Sequence, residues 1–218
     1  MNYFAHALPF LDRPYFAAGT GVPDWLMVCD RQARLQLKRA LPFVDDLDPR
    51  AAEVARGVVQ HLRDDRQFHA TRAFAETTLE LAAQIRGVLD DASSLPAGFL
   101  AHLLVELLLD AALIEARPDR LHAYYQVLDA VDSQVVQDAV NRMASQPAER
   151  LASFIALYRE SRILWDYLED ERLMMRMNQV MRRLELPQLP SGFPDLLPAA
   201  RELVRAKRPA LLDGVPVV

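Results

Sequence analysis

Between Leu100 and Asp110 the chain reads Leu-Ala-His-Leu-Leu-Val-Glu-Leu-Leu-Leu-Asp, and its only polar side chains, His102, Glu106 and Asp110, recur at every fourth position. That spacing stacks the three on one face of a helix, one turn above another. A helix that is apolar on nearly every other side is a buried one, and charged groups carried into a core must be paired, hydrogen-bonded or bound to metal. The stretch therefore demands a helical core and a polar partner for its stripe.

The remainder of the chain supplies a core of that kind. Only 7 glycines occur in 218 residues, alternating β-branched runs are nearly absent, and Ala, Leu, Arg, Glu and Gln dominate. This composition favours helix throughout and predicts an all-α protein. Prolines 23, 49 (after Asp48), 96, 118 and 147 stand where a first helical turn tolerates them. The predicted helices cover 3–8, 23–40, 49–66, 72–89, 96–116, 118–130, 133–145, 147–163, 165–185 and 195–207. The expected organisation is one compact multi-helix domain over 1–185, followed by a proline-rich tail over 186–218 whose one short helix packs on it. The hydrophobic end, Gly214 to Val218, either packs along the domain or reaches a partner.

A content of 51% hydrophobic and 25% charged residues is that of an ordinary globular chain. The single cysteine, Cys29, excludes a disulfide framework and a cysteine-cluster metal site, so a cytoplasmic, reducing location is expected. The start, Met1 to His6, lacks the pattern of a signal peptide, and the most apolar run is interrupted by charge, so no membrane association is expected. A formal net charge of -5 carries no footprint for nucleic acid. The cluster Arg31, Arg34, Lys38 and Arg39 is either a local docking patch or a solvated helix face.

A second stripe, His61, Asp65 and His69, has the same spacing of four, provided its helix runs past Gln67 before Ala70-Thr71 opens the next one. Facing His102, Glu106 and Asp110, it would complete one metal site. Mixed imidazole and carboxylate donors suit Zn, Mn, Fe or Ni rather than Ca. His6 and Asp24 are candidates to close the ligand set. Each also has an ordinary reading: His6 as a hydrogen-bonded core histidine, Asp24 as a helix cap, His61 with Asp65 as an ion pair, Glu106 as the partner of an arginine. His122 is read as packing, and the methionines between Met174 and Met181 as core filler rather than an adaptable docking face. No glycine-flanked serine elbow and no phosphate-cradling glycine loop occurs, and Cys29 has no evident histidine partner.

Three stretches, Met1-Asn2-Tyr3-Phe4-Ala5-His6, Gly19 to Asp24, and Gly57-x-x-x-His61-x-x-x-Asp65-x-x-x-His69, together resemble the acyl carrier protein phosphodiesterase family, divergent members of the HD-domain phosphohydrolases. Tyr167, Asn178 and Arg182/Arg183 look similar to that family's closing helix. His69 stands where the family has aspartate, and His102 and Glu106 where it tends to have two acids. The resemblance implies an HD-domain-like helical bundle, a divalent metal and hydrolysis of a phosphodiester. In the type enzyme that bond joins phosphopantetheine to a carrier-protein serine. The implied substrate is thus a phosphorylated small molecule or a phosphopantetheinylated carrier protein. The latter is acidic and would have to dock through a basic patch such as Arg31 to Arg39. Asp65 or Glu106 would position or deprotonate a water, and Arg63 or Arg66 would contact phosphate or face solvent. The competing readings are a non-catalytic metal-binding protein and a helical interaction protein whose stripes are buried ion pairs.

Overall fold

The computed structural model describes residues 1–89 and 95–214. It is all-α, with no strand among the described residues. The helices are α1 (Tyr3–Ala7), α2 (Pro14–Cys29), α3 (Leu37–Ala40), α4 (Pro49–His69), α5 (Arg72–Val88), α6 (Ala97–Ala116), α7 (Pro118–Asp129), α8 (Ser133–Met143), α9 (Leu151–Ser161), α10 (Asp170–Arg183) and α11 (Leu197–Leu211).

Local chemistry accounts for most of the boundaries. α4 begins with Pro49 at its first position, and the Asp48 carboxylate accepts from the Arg50 amide at 2.9 Å. α4 continues through His69, and Thr71 then caps α5 by accepting from the Phe74 amide at 3.1 Å. Asp132 caps α8 in the same way.

Three expected helices are differently bounded: those over 23–40 and 147–163, and that over 165–185, which begins only at Asp170, after a 3₁₀ segment at Ile163–Leu168. Pro23 lies inside α2 rather than at a helix start, and α2 begins at Pro14, so the small-residue run Ala17 to Gly21 is helical. Tertiary packing of that run outweighs the weak helix propensity of its glycines. α2 then stops at Cys29, because residues 30–36 are held as a loop by other partners. The Arg34 amide donates to Ser145 Oγ at 2.9 Å, and Ser145 Oγ donates to the Gln32 carbonyl at 2.9 Å. The helix expected from Pro147 starts only at Leu151, since the Ala148 amide is bound by Asn141 Oδ1 and the Arg150 amide by Asp30 Oδ2.

The described helices group into two compact units. The first comprises residues 1–67 and 117–162, and α2 is its centre, packed against α1, α7, α8 and α9. Phe4, Trp25, Tyr124, Tyr125, Tyr158 and Ile155 fill its core. Cys29 is buried there, and burial pushes its thiol up to about 11, which leaves it unreactive at neutral pH. The second unit comprises residues 68–116 and 163–214, in which α6 packs against α5, α11 and the 3₁₀ segment Ile163–Leu168. α6 is long and apolar enough to cross a membrane, but two-thirds of that stretch is buried inside the protein, as a core helix should be. Residues 186–214 belong to this unit, with Arg201 of α11 donating to Asp170 at 2.8 Å and to the Tyr167 carbonyl at 2.8 Å. Met177 and Met181 are core, and Met175 is exposed. The hydrophobic end expected to pack or reach a partner falls, from Val215 onward, outside the described residues.

Within the first unit α2 and α4 touch backbone to backbone. A Cβ on Gly57 would stand 2.2 Å from the Phe16 carbonyl oxygen, and one on Gly19 2.4 Å from that of Val54. Neither obstacle is a side chain that can swing away. Gly57→Ala should therefore destabilise the protein by about 3 kcal/mol despite the gain in helix propensity. Gly87→Ala, at an open position of α5, should instead stabilise it by about 0.5 kcal/mol. Urea unfolding midpoints of the two variants check the pair.

Candidate metal centres

The close crossing of α2 and α4 places the Thr20 carbonyl beside His61, one helical turn beyond Gly57. His61 Nδ1 donates to that carbonyl at 2.8 Å, and a carbonyl has two lone pairs, so the bond is compatible with helical pairing of α2. The tautomer is thereby settled, and the Nε2 lone pair faces the Asp65 carboxylate, 3.6 Å from Oδ2. His6, from α1, stacks on His61 with ring centroids 4.1 Å apart and brings its own Nε2 to 3.2 Å from Asp65 Oδ1. The α-amino group of Met1 also reaches Asp65 Oδ1, at 2.7 Å. Asp24 is more distant, its Oδ1 3.9 Å from His61 Nε2.

Both imidazoles are buried, with side-chain exposures of 0% for His6 and 3% for His61, whereas Asp65 is 30% exposed. Burial pushes His61 down to about 3, aided by the positive charge of His6 and opposed by Asp65. It is a neutral imidazole throughout the physiological range. Burial also works against protonation of His6, but Asp64 and Asp65 outweigh it and raise the pKa above the usual imidazole value. Burial opposes the charge on Asp65 as well, yet the hydrogen bond with His6 and the neighbouring positive charge hold it well below the ordinary carboxylate range.

The donor set fits a transition-metal cation. The ligand atoms of His6, His61 and Asp65 all lie within 4.8 Å of one another. Donors placed about 2.1 Å from a tetrahedral ion stand about 3.4 Å apart. The separations from His6 Nε2 to Asp65 Oδ1, 3.2 Å, and from His61 Nε2 to the other oxygen, Oδ2, 3.6 Å, lie on either side of that spacing.

The second unit carries a group of its own: His69, the last residue of α4, with His102 and Glu106 of α6. His69 Nε2 donates to Glu106 Oε1 at 2.7 Å, and His102 Nε2 lies 3.3 Å from the same oxygen. The Phe74 ring packs 4.9 Å from each imidazole centroid and fixes the pair. Burial opposes ionisation of Glu106, but its bonds with His102 and His69 hold it well below the ordinary carboxylate range. This group is more open than the first, with His102 42% exposed.

Six of the eight predicted ligands are thus gathered as two triads, each inside one unit, rather than as two stripes along helices. His6, His61 and Asp65 form one, with Asp24 at its margin; His69, His102 and Glu106 form the other. Asp110, one turn beyond Glu106, is wholly buried and belongs to neither. Arg63 and Arg66 are exposed, as are Arg31, Arg34, Lys38 and Arg39. His122 is exposed on α7 and joins no triad. Asn178 accepts from the Leu189 amide at 2.9 Å, a structural duty that ties α10 to the proline-rich segment.

Two participants escaped the sequence reading. The Thr20 carbonyl is a backbone group, for which no side-chain pattern is a signal. Asp64 lies 3.5 Å through Oδ2 from His6 Nδ1 and accepts from Gln60 at 2.7 Å through Oδ1. Its signal was the doublet Asp64-Asp65 four residues after Gln60.

Compared with protein-family models, curated proteins and solved structures, the chain matches none.

The state of His61 has a measurable consequence in metal-free protein. Its folded pKa, about 3, lies below the ordinary 6.5, so the unfolded chain binds more protons between those values. Folding stability contributed by His61 is present above pH 6.5 and is lost as the pH falls toward 3. His61→Asn keeps a donor for the Thr20 carbonyl and removes the titrating ring. Its urea stability should fall less steeply between pH 6.5 and 3.5 than that of the wild type; parallel curves would contradict the assignment.

Proposed function

We propose that this protein is a divalent-metal-dependent phosphohydrolase, acting on a phosphodiester, whose metal is held by His6, His61 and Asp65. The observation that carries this reading is the tether from His61 Nδ1 to the Thr20 carbonyl, which aims a neutral imidazole at an ionised carboxylate beside a second imidazole. Such outer-sphere fixing of a histidine is how metal ligands are held in register. Asp24 is the candidate fourth donor. His69, His102 and Glu106 offer a second cation a separate place in the other unit.

A Zn, Mn, Fe or Ni ion there would act as a Lewis acid, making water nucleophilic at neutral pH and drawing charge from a phosphoryl oxygen. The chain's own residues do the rest. Asp65 and Glu106 are held ionised so firmly that they are poor proton acceptors, which assigns them to binding and to orienting a water rather than to general-base catalysis. Arg63, exposed one turn before Gln67 on α4, and Arg66 provide guanidinium groups for a phosphate. The substrate is a phosphorylated small molecule or a phosphopantetheinylated carrier protein; for the latter, the exposed Arg31, Arg34, Lys38 and Arg39 supply the docking charge that the overall net charge of -5 does not. A second reading, a metal-binding protein without turnover, is favoured by the near-complete burial of His6 and His61.

Metal content of protein purified without added metal, followed by hydrolysis of bis(p-nitrophenyl) phosphate under Mn, Co, Ni and Zn, separates the readings. Wild type should carry metal and hydrolyse the ester. His61→Asn, which preserves the Thr20 contact, should lose both without losing helicity, and His102→Ala should lower the metal content by its own share. Metal with no hydrolysis under any ion selects the second reading, and metal-free wild type that takes up none of the four ions removes both.

A further inference from the structure

His61 and His6 approach Asp65 in the same sense. Each offers Nε2 to that carboxylate and has an acceptor behind its Nδ1: the Thr20 carbonyl for His61 at 2.8 Å, the Asp64 carboxylate for His6 at 3.5 Å. Asp64 is a costly residue to keep in place. It is 5% exposed, and among the described residues its polar partners are Gln60 and His6, with no arginine or lysine paired to it. A carboxylate so desolvated is destabilising unless its charge is used by a neighbour. Gln60, one turn earlier on α4, donates to Oδ1 and leaves Oδ2 to His6. The separation of 3.5 Å exceeds that of a formed hydrogen bond, and Nδ1 has no other partner, so the ring is held beside its acceptor without being locked to it.

We propose that Asp64 is a positioning residue for the metal centre: steadied by Gln60, it takes the Nδ1 proton of His6 as its hydrogen bond, so that His6 presents Nε2 to the cation and gains basicity as a ligand. The inference rests on the metal reading of the first triad. It adds to that reading a carboxylate that does not touch the cation but governs one of its ligands. Orienting carboxylates of this type change metal affinity about 10- to 100-fold when removed.

The test joins two readouts on wild type, Asp64→Asn and Asp64→Ala. Long-range proton–nitrogen correlation of the imidazoles, in Zn(II)-loaded full-length protein, reports which nitrogen of His6 holds the metal and which keeps its proton. Competition with a chromogenic chelator reports Zn(II) affinity. Zn(II)-loaded wild type should hold the metal through His6 Nε2, the nitrogen that donates to Asp65 in the metal-free protein, and keep its proton on Nδ1; in Asp64→Ala the Nδ1–H resonance should move upfield as its acceptor is lost. Zn(II) affinity should fall about 10- to 100-fold in both variants. Asp64→Asn, of the same shape, should do so with its thermal midpoint nearly unchanged, which a merely structural Asp64 would not produce. Zn(II)-loaded wild type in which His6 does not hold the metal through Nε2, or wild-type Zn(II) affinity in folded Asp64→Asn, overturns the proposal. Wild type that binds no Zn(II) defeats the metal reading itself, a result distinct from Zn(II) held equally well by wild type and Asp64→Asn.

Discussion

The first unit depends on the contact between Gly19 of α2 and Gly57 of α4. A helix pair ordinarily keeps its axes 8–10 Å apart because side chains fill the space between them. Here the backbones themselves meet, with no room for a Cβ on either glycine. That approach allows a backbone carbonyl of α2 to serve as the hydrogen-bond acceptor of an imidazole on α4. Any widening of the crossing would move Thr20 away from His61 and leave a buried Nδ1–H without a partner, at a cost of about 1–3 kcal/mol. The glycines, the tautomer of His61 and the direction of its Nε2 are therefore one arrangement.

The same economy explains the charges. Burial alone would drive both imidazoles and the Asp65 carboxylate of the first triad toward neutrality. What the structure holds instead is a mutual arrangement: Asp65 ionised, His61 neutral, and His6 favoured in its charged form between Asp64 and Asp65. The proton on His6 and the ammonium of Met1 both face the carboxylate that a cation would use. Metal affinity should accordingly be linked to proton release. The second triad is organised more simply, around one carboxylate oxygen shared by two histidines and braced by Phe74.

The all-α class and most helix boundaries were legible because they follow from local causes. Thr71, Asp132 and the prolines at 49 and 118 punctuate the chain through their own backbone preferences. Pro23 misled because its local preference for a helix start was outweighed by the packing of α2 on its neighbours, a long-range effect. Residues 30–36 and 145–150 misled for the same reason, each being kept out of a helix by bonds to the other.

At the level of chemistry, the sequence by itself determined which residues are candidates to carry ligand atoms, since a spacing of four on a helix is a local property and polar residues in an apolar helix must find partners. It also showed that His69 could extend the α4 stripe, as the helix does. Only the tertiary structure decided how the ligands combine. Spacing suggested stripes along helices, but a site is assembled across elements. His6 arrives from α1 and His69 closes on α6, while Asp110 is left out of both triads. The groups that finish the first triad, a backbone carbonyl and the neighbouring Asp64, have no periodic signature, because what places them is the distance between two helix backbones rather than the order of residues along either.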